Sequence, residues 1–185
     1  MITKTRATID DLYRVPENGK AELVNGELVL MSPASVGHGR ASGKIFLSLM
    51  RYEEAIGGGS AIGDNVGFIV NLAHRQSFSP DAAWIPEKVR ADDLEFYPGP
   101  PAFAVEIRSK EDYSPRAERA MAAKRADYFA AGTEVVWDVD LLGAEVIRVY
   151  RAADPETPAV FRRGEIADAE PAVPGWRMSV DELFK

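Results

Sequence analysis

Hydrophobic and polar positions change period several times along the chain, and each change marks an element. Thr8 is placed to cap a short helix through Leu12, ended before Pro16. Two short apolar runs, Ala21 to Val24 and Glu27 to Leu30, flank Asn25-Gly26. That pair supplies both positive-φ positions of a type I′ turn, so a hairpin is predicted. From about Val36 to Ile56 the period becomes helical: Ile45, Leu49, Tyr52 and Ile56 share one face, while Arg40, Lys44 and Arg51 share the opposite one. Gly57-Gly58-Gly59 ends that helix.

Strand-like runs follow at 66–71 and 78–85, then a loop rich in charge and proline reaches Pro101. Residues 103–108 read as a central strand. Ser114 before Pro115 is an N-cap with proline at the first helical position, and Gly132 stops that helix after Ala131. Further strands are predicted at 134–139 and 145–150. Ser179 with Glu182 has the spacing of a capping box for a last short helix. The fold class expected is mixed α/β, a mixed sheet flanked by helices, in a single domain over residues 1–185. The strand–helix–strand unit from 103 to 139 should cross over right-handedly, setting its two strands parallel.

Composition narrows the chemistry. The 185 residues include 22 basic and 29 acidic side chains, a formal net charge of −7. The absence of cysteine removes disulfides, thiolate metal sites and cysteine nucleophiles, and two histidines are too few for an all-histidine zinc site. No apolar run is long enough for a membrane span, and no secretion signal is recognised, so a cytoplasmic protein is expected. An acidic total argues against tight nucleic-acid binding. The distribution softens that objection, because residues 1–51 carry seven basic and five acidic groups, and residues 106–125 six and four.

Three positions then break the apolar pattern where burial is expected. Strand alternation puts Phe103, Val105 and Ile107 on one face of 103–108 and Ala102, Ala104, Glu106 and Arg108 on the other. Asp81 shares a face with Ala83 and Ile85, directly after Pro80. Lys124 is the i+7 member of an Ala117, Met121, Tyr128 stripe on the 114–131 helix. Buried carboxylates require partners, and Glu106 is the anion offered to Lys124. Two strand carboxylates and a lysine suit hard-oxygen binding of Mg²⁺ or Mn²⁺ and phosphodiester hydrolysis. Each also has a plain use: Glu106 in a surface ion pair with Arg108, Asp81 opening a turn, Lys124 snorkelling from the edge of its stripe.

An ordered series of motifs resembles the Uma-two family of "putative restriction endonucleases", in the PD-(D/E)XK nuclease superfamily. It runs through Glu22-Leu23-Val24-Asn25-Gly26-Glu27-Leu28, Met31-Ser32-Pro33 and His38, then Gly63-Asp64 and Ser79-Pro80-Asp81. It continues with Val105-Glu106-Ile107-Arg108, Lys124 with Tyr128 and Gly132, 135–140, and Pro174-Gly175-Trp176. The resemblance implies a restriction-endonuclease-like core with Asp81, Glu106 and the Ile107 carbonyl as metal ligands and Lys124 as the assisting lysine. The parent motif's lysine, two residues after the glutamate, is here Arg108, which would contact phosphate as a bidentate clamp. Glu22 matches an acidic family position and would bind metal through water; an edge-strand surface glutamate is the alternative. His38, at the start of the long helix, is a candidate phosphate contact or a simple helix-start hydrogen bond. Arg40 and Lys44 are candidates to track a nucleic-acid backbone, or form a solvated helix face.

The expected function is a Mg²⁺- or Mn²⁺-dependent nuclease acting on DNA rather than RNA, as a homodimer. The alternative is a nuclease-fold module without efficient catalysis, which binds nucleic acid or protein.

Overall fold

A computed structural model describes residues 6–15 and 19–185. Helix α1 (Ile9–Tyr13) is opened by a complete capping box between Thr8 and Asp11; Pro16, which the sequence placed beyond its end, lies outside the described residues. Strands β1 (Ala21–Val24) and β2 (Glu27–Leu30) form the expected hairpin, with Asn25 at φ 53° and Gly26 at φ 73°. Helix α2 (Val36–Ile56) is capped by the Ser35 hydroxyl and stops at Gly57 in the left-handed region. Its Ile45 and Leu49 are buried, whereas Ile56, expected on the same face, is exposed in the last turn.

The middle of the chain is more broken than its hydrophobicity suggests. β3 (Ser60–Ile62) was not apparent in the sequence. Only Phe68–Ile69 (β4) of the 66–71 run is a strand. The 78–85 run divides at Ser79-Pro80-Asp81 into β5 (Ser77–Phe78) and β6 (Ala82–Ile85), which join different sheets. A proline cannot donate to a ladder, so the run cannot continue through Pro80. β7 (Tyr97–Pro98) completes a small sheet in the order β5-β4-β7.

β8 (Phe103–Ile107), α3 (Pro115–Ala131) and β9 (Val135–Val139) form the strand–helix–strand unit, and β8 and β9 are parallel. β10 (Ile147–Arg151) and β11 (Asp154–Phe161) extend the same sheet, which reads β11-β10-β9-β8-β6-β3. β11 contains Pro155 and Pro158 and lies at the edge, where missing donors are tolerated. β12 (Ile166–Asp168) and β13 (Arg177–Ser179) pair separately. The chain closes on a 3-10 helix, Val180–Phe184. The capping box expected there does not form: the Ser179 side chain makes no cap, and Glu182 pairs with Lys185 instead.

The six-stranded sheet is packed on both faces. On one side α2 and the C-terminal segment cover Trp84, Phe103, Val105 and Trp137. On the other, Tyr128 of α3 joins Phe68, Phe78, Ala104 and Val136. Alternation therefore sends Phe103, Val105 and Ile107 to the first core and leaves Ala104 and Glu106 for the second. Small alanines at Ala83 and Ala104 let the aromatic pair Phe78–Tyr128, stacked at 3.9 Å, close over that face.

Gly59, in the link from α2 to β3, lies at φ +68°, and a Cβ there would stand 2.1 Å from Trp84 Cζ2. Both the backbone conformation and the indole oppose a side chain. Gly59→Ala is expected to cost about 2 kcal/mol or more in urea unfolding, against no loss for Ala at the unobstructed, negative-φ Gly58 beside it.

Candidate active site

The junction of β6 and β8 brings two carboxylates together. β6 runs antiparallel to β8 with Ala82 opposite Val105, which leaves Asp81, just before β6, near Glu106 on β8. The Asp81 N–H donates to the Val105 carbonyl at 2.9 Å, which ties it to β8. The charge of Asp81 acts on Glu106, and both are neutralised from outside the two strands. Both residues line a cavity of about 1070 Å³, bounded also by the segment before α2, the loop after β8 and the first half of α3.

The two carboxylates find different partners. Asp81 is buried. Its Oδ1 accepts from Lys20 Nζ at 2.7 Å, and its Oδ2 accepts from the Ile107 N–H at 2.8 Å and lies 3.1 Å from His38 Nε2. Burial pushes its pKa up, but the His38 bond and the Lys20 charge outweigh that and hold it well below the usual carboxylate range. Its carbonyl accepts from the Ser42 hydroxyl at 2.6 Å, fixing α2 to the strand. Glu106 Oε2 accepts from Lys124 Nζ at 2.8 Å, and Oε1 from the Tyr128 hydroxyl at 2.6 Å. Burial raises its pKa; Lys124 opposes the rise, while the charges of Asp81 and Glu22 add to it.

Glu22 is the third carboxylate. It is buried on β1, which excludes the surface-glutamate reading. Its Oε1 lies 2.8 Å from Lys124 Nζ and accepts from the Ser79 N–H at 3.1 Å, and its Oε2 accepts from Arg75 at 2.5 Å. Burial works against its charge, but Lys124 and Arg75 prevail and lower its pKa. Arg75 also donates to Asp127 at 2.8 Å, and His74 reaches the other oxygen of Asp127 at 2.7 Å. Lys124 is thus gripped by Glu106 and Glu22. Burial alone would lower its pKa, but the two carboxylates raise it, so Nζ remains an ammonium. Tyr128 stays a phenol, its pKa raised by burial and by Glu106.

Of the residues expected at the site, the structure brings together Asp81, Glu106, Ile107, Lys124, Glu22 and His38. Arg108 lines the same cavity but is committed: its guanidinium spans Asp138 through Nε at 2.7 Å and Nη2 at 2.9 Å, and it pairs with Glu118. Arg40 and Lys44 are not at the cavity. Arg40 donates to the Lys185 carbonyl at 2.7 Å, and Lys44 acts on Glu182, so that face of α2 meets the C-terminal segment. Lys20, Asp64, Arg75 and the Tyr128 hydroxyl belong to the site without having been anticipated. Lys20 bridges Asp81 and Asp64, each at 2.7 Å.

Divalent hard-oxygen ions of the Mg²⁺ type are commonly held by one or two carboxylates, with water completing the shell. Asp81 and Glu106 fit that donor chemistry; burial is the first cause of the rise at Glu106, and the charges of Asp81 and Glu22 add to it. Among the described residues no group of three or more His, Asp or Glu side chains is gathered into a ready metal cage. The carboxylates are instead already paired with the chain's own cations.

Residues 8–181 match the model of the Uma2 family, described as "putative restriction endonuclease". The fold is similar to the crystal structure of a putative nuclease belonging to DUF820 from Anabaena variabilis ATCC 29413. The TM-score is 0.73 and the identity 17%, over 96% of this chain and 97% of that one. No curated protein matches the chain.

The pairing of Arg108 with the buried Asp138 makes a sharp expectation. Arg108→Met leaves that carboxylate with Arg125 alone, 3.4 Å away, and should cost about 3–5 kcal/mol in urea unfolding. The double change Arg108→Met, Asp138→Leu should recover most of the loss. A cost below about 1 kcal/mol would return Arg108 to the role of a free phosphate clamp.

Proposed function

The chain belongs to the Uma2 family of "putative restriction endonucleases", and we propose that it is a Mg²⁺- or Mn²⁺-dependent nuclease hydrolysing phosphodiester bonds of DNA in the cavity beside Asp81 and Glu106. One observation carries this reading: Glu106, Glu22 and Lys124 form one connected cluster, and Asp81 lines the same cavity as Glu106 and Lys124. Asp81, Glu106 and the Ile107 carbonyl would hold the ion. When bound, it supplies a Lewis acid and a means of activating water near neutral pH.

The protein's own groups have separable parts in this reaction. Lys124, kept as an ammonium, donates hydrogen bonds from Nζ, so it orients the attacking water or balances charge on the phosphate rather than removing a proton. Tyr128 fixes the second oxygen of Glu106, which restricts the carboxylate to one orientation. Glu22, held by Arg75, acts by positioning Lys124. His38 steadies Asp81 from the first turn of α2. DNA rather than RNA, a cytoplasmic setting and a homodimer complete the proposal. The family description supports the substrate, and two sites related by a two-fold axis suit cutting of both strands. Among the described residues no helix is long and apolar enough to cross a membrane.

A second reading, a nuclease-fold module that binds without cleaving, has its own support. Both Asp81 oxygens are engaged, and Arg108 is locked to acidic partners. Nicking of supercoiled plasmid with Mg²⁺, Mn²⁺ or EDTA separates the two. The nuclease reading expects metal-dependent nicking that is lost in Asp81→Ala. Lys124→Met should still bind Mn²⁺ in calorimetry but cleave at least about 100-fold more slowly. Cleavage by Lys124→Met at the unaltered rate would remove the lysine from the mechanism, and a folded protein that nicks under no metal would favour the binding module.

A further inference from the structure

One lysine at the cavity has no part in the proposed reaction, yet it sits on the proposed metal ligand. Lys20 Nζ is 2.7 Å from Asp81 Oδ1 and 2.7 Å from Asp64 Oδ1. The three side chains differ in burial: Asp81 is 6% exposed, Lys20 18% and Asp64 40%. Asp81 Oδ2 is turned to the Ile107 N–H and to His38. Oδ1 is therefore the oxygen left for a cation in the cavity, and an ammonium already holds it. A divalent ion at about 2.1 Å from the same oxygen would stand in contact with that ammonium, and two cations do not share such a position.

We infer that Lys20 is an exchangeable counter-cation, neutralising Asp81 in the metal-free protein and withdrawing onto Asp64 when a divalent ion takes Asp81 Oδ1. This rests on the reading of Asp81 as a metal ligand. The chemistry of lysine suits the exchange: its ammonium is a compact charge on a flexible four-carbon stem, with no directional fork to break. Asp64 keeps hold of Nζ throughout, so withdrawal costs one contact rather than two. His38 and the Ile107 N–H continue to orient Asp81 while its other oxygen changes partner.

Calorimetric titration of the intact 185-residue chain with Mn²⁺ tests this without reference to cleavage. Lys20→Met should bind Mn²⁺ roughly tenfold more tightly or better, and metal-free Lys20→Met should melt at a lower temperature, because Asp81 has lost a partner. Lys110→Met is the control, since Lys110 lines the same cavity with no ion pair to Asp81 or Asp64 among the described residues. It should change the affinity less than about threefold, the size of a screened, unpaired charge. If Lys20→Met does not melt cooperatively, Lys20→Gln replaces it in the same titration. Mn²⁺ affinity that is unchanged or weaker without the Lys20 charge overturns the inference. So does equal tightening in the Lys110 control, which would reflect the general field of the cavity. Wild-type protein and the Lys20 variant both failing to bind Mn²⁺ would sink the metal-site reading itself. Binding by the variant alone would support the exchange in its strongest form.

Discussion

The structure depends on neutralising negative charge that the sheet itself concentrates. Neighbouring β6 and β8 bring Asp81 near Glu106, and the hairpin brings Glu22 to the same cluster through Lys124 and Arg75. Buried carboxylates in that number are stable only with cations and donors aimed at them. They come from four parts of the chain: Lys20 from just before β1, His38 from the first turn of α2, Arg75 from the turn before β5, and Lys124 and Tyr128 from α3. The small hairpin, which pairs with no strand of the main sheet, is thereby tied into the molecule. Leu23 accepts from the Gln76 N–H, its own N–H reaches the Ser77 hydroxyl, and Glu22 is locked by Arg75.

Part of this was legible in the residues alone. Alternation along 103–108 isolates Glu106 on a face of small alanines, and helical spacing places Lys124 inside the stripe that meets it. Both are local patterns, and both hold. Asp81 and Glu22 are legible as candidates, but the cations Lys20 and Arg75 are not: Lys20 is 61 residues from Asp81, and Arg75 is 53 from Glu22. Neither cation lies in a periodic segment, so nothing local marks it. Arg108 and the Arg40–Lys44 stripe show the opposite difficulty. Their charge is visible in the sequence, but whether it faces a ligand or an internal carboxylate is decided by β9 and by the C-terminal segment. The strand pattern was clearest where both faces are buried. It was weakest at the edge, where Pro155 and Pro158 interrupt β11 and yet cost little.

The cations divide by chemistry. Guanidinium groups stand where a carboxylate must remain closed: Arg108 on Asp138 and Arg75 on Glu22 and Asp127, each making several directed bonds. Ammonium groups stand at Asp81 and Glu106, which line the cavity, Lys20 on the first and Lys124 on the second. A fork with fixed donors is slow to give up its partner, whereas a point charge on a flexible stem can move between acceptors with little loss of geometry. This distribution explains how one region can be rigid and still chemically available. The Arg75 and Arg108 clusters brace the hairpin, α3 and β9 around the cavity, and the two lysines neutralise Asp81 and Glu106 on its lining. Position 108, two residues after Glu106, carries such a fork on Asp138, and the ammonium that meets Glu106 comes from α3 instead.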